Sequence, residues 1–172
     1  GVVCAYSKSL DKGIQIEKDF VKPLLKGADV HRYCKLSPKI SCIFPYKIEN
    51  AHAILFSQNE IKKKFPMAWE YLLRNKRALE DRENGRMKHE QFYAYIYPKN
   101  LTEFEKKKIV TPEISYGCNM TYDFDGLYHN TKCYSFIFKN RVSEAQLFYL
   151  ALLNSKLLWF FVTTTGYVLR GG

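Results

Sequence analysis

Asn119-Met120-Thr121-Tyr122-Asp123-Phe124-Asp125-Gly126-Leu127-Tyr128-His129-Asn130 decides the class of this fold. Asp-Gly between two short runs of aromatic and β-branched residues is a strong hairpin signal. Both residues tolerate the positive φ that a two-residue turn demands. Asn119–Phe124 and Leu127–Asn130 are therefore expected as paired arms of an antiparallel sheet. Upstream, Lys108–Thr111 predicts a short strand ended at Pro112. Phe92 to Tyr97 alternates, with Phe92, Ala94 and Ile96 on one face and Tyr93, Tyr95 and Tyr97 on the other. Lys39–Tyr46 and Ile54–Phe56 read as further strands. Downstream, Tyr134–Phe138 is apolar on both faces, the pattern of a central strand.

Helical signals are interleaved with these. Glu17–Leu25 reads as a short helix stopped by Gly27. Ser57-Gln58-Asn59-Glu60 is a capping box that opens a helix running to Lys64. A longer helix is expected from Pro66, tolerated at a first helical position, to Arg82. Gly85 stands where a helix-ending left-handed residue belongs. Ser143 to Asn154 reads as another capped helix, with Ser143 and Gln146 as its box. The sum is an α+β chain, one domain over residues 1–172, with antiparallel sheets and hairpins packed by several helices.

Composition narrows the function. The 172 residues are 47% hydrophobic and 16% aromatic, with 13 Tyr and 12 Phe, which excludes a disordered chain. The net charge is +10, a balance that favours an anionic partner, nucleic acid before a membrane surface. Residues 60–110 carry 13 Lys/Arg against 8 Asp/Glu, and residues 111–172 only 5 against 4. The middle third is thus the better phosphate-facing candidate. The five cysteines, Cys4, Cys34, Cys42, Cys118 and Cys133, show no CxxC pairing and no zinc-ribbon spacing. They read as reduced, mostly buried thiols of a cytoplasmic protein. The apolar runs Leu147–Leu153 and Leu157–Val162 are split by Asn154, Ser155 and Lys156, too short to cross a membrane. Gly1 without Met and the terminal Gly-Gly read as the ends of a fragment of a longer protein.

Catalytic motifs are few. No Pro-Pro loop and no Gly-rich turn is present, so neither an adenine-holding loop nor a methyl-donor site is expected. Glu105-Lys106-Lys107 satisfies the Glu-x-Lys triplet of a metal-dependent nuclease, but no Pro-Asp strand precedes it. A solvated run over Glu103–Lys108 is the plainer reading. Asp123-Phe124-Asp125-Gly126 lacks the third acid and closing Glu of a calcium loop. The basic and aromatic region carries more. Lys62, Lys63 and Lys64 end one helix, and Arg82, Arg86, Lys88 and His89 follow the next. Gln91, Tyr93 and Tyr95 come after them. Two i,i+4 pairs, Glu70–Arg74 and Arg77–Asp81, neutralise part of the helix face. The loop Arg82–Gln91 is less neutralised, and Arg, Lys, His and Gln are the side chains that read base edges.

Several fragments, in order, resemble a known family. They include Leu24-Leu25-Lys26-Gly27-Ala28-Asp29-Val30-His31-Arg32-Tyr33, Ile43-Phe44-Pro45-Tyr46 and Phe65-Pro66-Met67-Ala68-Trp69-Glu70-Tyr71-Leu72-Leu73 with Leu79-Glu80-Asp81-Arg82. Lys108-Ile109-Val110-Thr111-Pro112-Glu113-Ile114-Ser115, Tyr122-Asp123-Phe124-Asp125-Gly126-Leu127-Tyr128 and Leu150-Ala151-Leu152-Leu153-Asn154-Ser155-Lys156 with Arg170-Gly171-Gly172 complete the series. Together they resemble the TaqI-like C-terminal specificity domain of bacterial adenine-specific DNA methyltransferases and fused type II restriction-modification enzymes. The resemblance implies a DNA target-recognition module without catalytic residues of its own. It implies a methyltransferase domain, N-terminal in the same polypeptide, that carries S-adenosylmethionine and flips the target adenine. Double-stranded DNA is the implied partner, with no membrane. Arg32 and Arg82 match recurring family positions, where a basic residue serves either DNA or the fold. Within this reading Arg86, Lys88 and Gln91 are the candidate base readers and Lys62, Lys63 and Lys64 the phosphate contacts. A small metal-dependent nuclease and a non-specific RNA-binding domain using the tyrosine face remain the alternatives.

Overall fold

Backbone hydrogen bonding in the computed structural model, which describes residues 1–139 and 145–166, defines strands and helices in alternation. The strands are β1 (Val2–Ser7), β2 (Lys12–Glu17), β3 (Val21–Leu25), β4 (Ile40–Ile43), β5 (Tyr46–Glu49), β6 (His52–Leu55), β7 (Lys108–Pro112), β8 (Thr121–Asp123), β9 (Tyr128–His129) and β10 (Cys133–Phe136). The helices are α1 (Gln58–Lys64), α2 (Pro66–Arg74), α3 (Lys76–Glu80), α4 (Arg82–Gly85), α5 (Gln146–Leu153) and α6 (Lys156–Thr165). The class is α+β, as its alternation of patterns predicts. The residues gather into two compact units, each with its own buried cluster.

The first unit comprises Gly1–Lys22 and Ser41–Thr102. Here β1 and β2 form an antiparallel hairpin registered Val2↔Glu17 to Ser7↔Lys12. A second hairpin pairs β5 with β6 from Tyr46↔Leu55 to Glu49↔His52. Its turn is Asn50-Ala51, both left-handed at φ 49° and 59°, so the Gly that usually marks such a turn is absent. The capping box forms as expected: Glu60 N donates to Ser57 Oγ at 3.2 Å and Ser57 N to Glu60 Oε2 at 2.8 Å. The expected helix from Pro66 to Arg82 is interrupted. Asn75 is buried and donates Nδ2 to the Tyr71 carbonyl at 2.8 Å, a side-chain bond that competes with the helical ladder. The chain then breaks again within α4, where Glu83, Asn84 and Gly85 are successively left-handed at φ 50°, 58° and 84°.

The N-terminus of α2 has no local side-chain cap. Instead the Glu17 carboxylate, at the end of β2, accepts from Met67 N and Ala68 N, both at 2.9 Å. That anchors the helix against the hairpin and buries Ala68 and Leu72 beside Ile16, Phe20, Ile61 and Phe92. Phe65 rings the cluster, 5.1 Å from Phe20 and 5.3 Å from Phe56 between centroids.

The second unit comprises Pro23–Ile40 and the described residues from Glu103 onward. Its antiparallel sheet runs β10-β7-β8. The middle strand β7 buries Lys108, Ile109 and Val110 completely. Leu24 and Leu25 of β3 pair in parallel with Tyr128 and His129 of β9. Leu25, Val30, Leu36, Val110, Leu127 and Cys133 form the buried cluster. Helices α5 and α6 meet at a 55° bend. At that bend the Asn154 amide accepts from Met120 N at 2.9 Å and donates to Met120 O at 2.8 Å. Ser155 caps α6 by accepting from Leu158 N at 3.1 Å.

Several expectations are corrected. The Glu17–Leu25 helix is a single 3-10 turn, Lys18–Phe20, followed by β3. Pro23, which lacks the N–H a helix interior needs, explains the change. Lys39–Tyr46 is two strands, divided at Phe44-Pro45. Phe92–Tyr97 is not a strand. The Asp125-Gly126 hairpin is absent, since β8 pairs with β7 and β9 with β3. In its place Asp123 organises the turn by accepting from Asp125 N, Gly126 N and Leu127 N at 3.0, 3.0 and 2.7 Å. The same carboxylate receives Lys108 Nζ at 2.7 Å, so Lys108 is a buried partner and no part of a solvated run. Gly126 is left-handed at φ 70°, and a Cβ there would lie 2.5 Å from the Glu105 carbonyl. The strand read as central, β10, is at the sheet edge with Tyr134 and Phe136 exposed. Thiols are not mostly buried either: Cys133 is, Cys42 and Cys118 are half-buried, and Cys4 and Cys34 are exposed. Burial pushes the Cys133 thiol up to about 11. Ser143 of the last capping box lies outside the described residues, and α5 begins after Ala145.

Candidate nucleic-acid interface

Ten of the eleven candidate residues fall in the first unit, and Arg32 falls in the second. The segment 86–97 is a folded coil held from several sides. Arg82 donates Nε to the Leu79 carbonyl at 2.8 Å. It also donates NH2 to the carbonyls of Phe92 at 2.6 Å and Ala94 at 3.0 Å. A guanidinium thus takes the place of a partner strand along 92–94, which explains why the alternating pattern does not become a strand. Gln58 in the first turn of α1 donates Nε2 to the Glu90 carbonyl at 2.7 Å. Tyr95 N donates to Tyr46 Oη at 2.8 Å.

This scaffold sorts the candidates. Arg82 braces the fold. Tyr93 is buried at 4% exposure and donates its hydroxyl to the Phe56 carbonyl at 2.7 Å, which removes it from any stacking surface. Tyr95 is half-buried with its hydroxyl on the Ile43 carbonyl. Burial pushes the phenols of Tyr46 and Tyr93 above their ordinary value, so both remain neutral hydrogen-bonding groups. Arg86, Lys88, His89 and Gln91 are exposed. Lys88 pairs with Asp81 at 3.2 Å, the acid expected to neutralise Arg77. Lys76 pairs with Glu80 at 3.6 Å, and Glu70 with Arg74.

Arg86, His89, Gln91, Tyr46, Tyr95 and Leu101 line a groove of about 430 Å³ within this unit. The Arg86 guanidinium lies 5.6 Å from the centroid of the exposed Tyr97 ring, and Tyr97 donates its hydroxyl to Glu83 at 3.0 Å. Lys62, Lys63 and Lys64 are exposed in the last turn of α1. Lys62 stands four residues beyond Gln58, on the helix side that meets the loop, with its ammonium 5.1 Å from the Trp69 ring. The groove therefore joins one planar guanidinium, an imidazole, an amide and two phenol rings, with Lys62 one helical turn beyond Gln58, which bonds the Glu90 carbonyl. Bidentate donors beside aromatic faces suit base edges, and clustered ammonium groups suit phosphates. Sequence reasoning missed Tyr46 as a member of this site; it joins because β5 brings it there.

Arg32 of the second unit is exposed, donates NH1 to the Asn154 carbonyl at 3.4 Å and lies 6.0 Å from the Tyr33 ring. Within the Glu-x-Lys triplet Glu105 accepts from Tyr128 Oη at 3.0 Å, and Lys106, its middle residue, pairs with Glu103 at 2.7 Å. Among the described residues no three His, Cys, Asp or Glu side chains converge to hold a metal. No single described helix is long and apolar enough to cross a membrane.

Residues 22–171 match the TaqI-like C-terminal specificity domain. Among curated proteins none matches the chain.

Proposed function

The chain belongs to the TaqI-like C-terminal specificity domain family, and on that premise we propose that it reads a short duplex DNA sequence for an adenine-specific methyltransferase domain. Domains of this family are DNA-recognition modules of restriction-modification enzymes. The observation that supports the finer reading is the convergence of Arg86, His89 and Gln91 on one groove of the first unit. In this reading Arg86 takes O6 and N7 of a guanine, Gln91 takes N6 and N7 of an adenine, and Lys62, Lys63 and Lys64 hold phosphates. Lys88, which pairs with Asp81, and His89, whose Nδ1 accepts from Gln91 N at 3.2 Å, complete the set.

The catalytic partner lies N-terminal in the same polypeptide, in a bacterial cytoplasm, and holds the flipped adenine and S-adenosylmethionine. That donor does not fit the groove described here. No acidic side chain lines it, so the donor's ammonium and ribose hydroxyls find no carboxylate. In this reading methyl transfer belongs to the partner domain.

Selection of duplexes from a randomised library by the 172-residue chain tests the reading. A short motif is expected to enrich, Arg86→Ala or Gln91→Ala is expected to relax one position of it, and Mg²⁺ is expected to cause no cleavage. A library recovered without enrichment sinks the proposal. Cleavage dependent on Mg²⁺ and lost in Glu105→Ala replaces it with the nuclease.

A further inference from the structure

The second unit contains a groove of about 500 Å³ that the reading above does not use, and we infer that it holds one unpaired nucleobase of the bound nucleic acid. Tyr33, Tyr122, Phe124, Leu147, Lys35 and Asp125 are among the residues that line it. Phe124 is 61% exposed and Tyr33 58% exposed, large aromatic surfaces open on one groove. Tyr122 lies 4.5 Å from Phe124 between centroids and steadies it, with its own hydroxyl tied to Gln146.

Tyr33 is the more telling wall. Its backbone is left-handed at φ 58°, where a bulky residue is a genuine outlier. Neighbouring bonds hold it there. Tyr33 N donates to Met120 O at 3.2 Å, Cys34 N to His31 O at 3.1 Å, and Thr121 Oγ1 to Cys34 O at 2.6 Å. Such outliers persist where surrounding structure over-determines them, and they gather at binding sites. Here the effect is to present the ring.

A base in single-stranded form can use a π face, a hydrogen-bond donor, an acceptor and a cation for its phosphate. The rings supply the first, Lys35 and Asp125 the next two, and the Arg32 guanidinium, 6.0 Å from the Tyr33 ring, the last. Aliphatic ligands would use the rings but not the charged groups.

This site rests on the DNA-binding reading, and the two are tested separately by a pair of duplexes. They are identical except that one carries a single unpaired 2-aminopurine bulge. The native chain is expected to bind the bulged duplex at least about fivefold tighter, the size of one base–aromatic stack, and to quench the 2-aminopurine fluorescence. Phe124→Leu and Tyr33→Gly, the latter compatible with the left-handed backbone, are expected to abolish that preference. Both should leave affinity for the matched duplex unchanged, and Tyr33→Phe should retain the preference. Equal affinity of the native chain for the two duplexes overturns this site and leaves the DNA-binding reading standing. Binding to neither overturns both.

Discussion

Arg82, Asn154, Asp123 and Gly126 lie in fragments that carry the family resemblance, and each holds backbone in place. Arg82→Ala leaves the carbonyls of Phe92 and Ala94 without their donor. It is expected to destabilise the first unit by about 1.5–3 kcal/mol, read as a lower denaturant midpoint at unchanged m-value. Arg82→Lys is expected to recover little, since an ammonium cannot serve three carbonyls in the guanidinium's geometry. Lys108→Met strands the buried Asp123 charge and is expected to cost about 3–5 kcal/mol. Gly126→Ala adds about 1–2 kcal/mol from the left-handed backbone alone, before the close approach to Glu105 is counted. An unaltered midpoint in any of these variants would refute the assigned role. From sequence, a lone Arg before a basic loop is indistinguishable from a DNA contact. Its role here depends on carbonyls ten and twelve residues away.

Local chemistry decides which elements were legible. The Ser57–Glu60 box, Pro66 at a first helical position and left-handed Gly85 all form as read, because each depends on groups within one turn. Ser57→Ala is expected to cost about 1 kcal/mol. Glu60 is held down to about 2 from 4.5, first by the Ser57 backbone N–H, then by the Ser57 hydroxyl and Lys47. A carboxyl lowered on folding stabilises the native state above its ordinary value. That support is lost as pH falls from 4.5 toward about 2. Ser57→Ala is therefore expected to narrow the gap between stability at neutral pH and at pH near 3, a difference absent if the box does not form in solution. Elements that depend on distant partners were misread. The Asp-Gly pair matched a hairpin, but Asp123 accepts the turn's own N–H groups and Lys108, and the two arms pair with other strands. The tyrosine row matched a strand, but Arg82 occupied the hydrogen-bonding edge.

At the scale of the whole molecule, charge is the property the sequence announces most clearly. With four to six phosphates contacted, the slope of log K against log salt is expected near −4 to −5. Replacing Lys62, Lys63 and Lys64 together with Gln is expected to make that slope shallower by about 3, evenly across sequences. A slope near zero in the native chain would assign the +10 charge to solubility alone. The α+β class and the basic middle third were readable because they sum many residues. The partition into two buried clusters was not, since the first unit is assembled from Gly1–Lys22 and Ser41–Thr102 with eighteen intervening residues given to the second. No local pattern marks such an exchange. Of the site, the exposed Arg86, Lys88, His89 and Gln91 were foreseeable from residue type. Tyr93 was not, because its burial follows from the Phe56 carbonyl.

The carboxylate of Glu17 closes α2 from 50 residues away. A helix this short, without a cap of its own, is marginal in isolation. It therefore has to wait for β2, and the two elements should assemble in one kinetic event. Glu17→Ala is expected to slow refolding while leaving the unfolding rate nearly unchanged, the mark of a contact already made at the barrier. Were the whole loss to appear as faster unfolding, the helix would form first and the hairpin would dock onto it later.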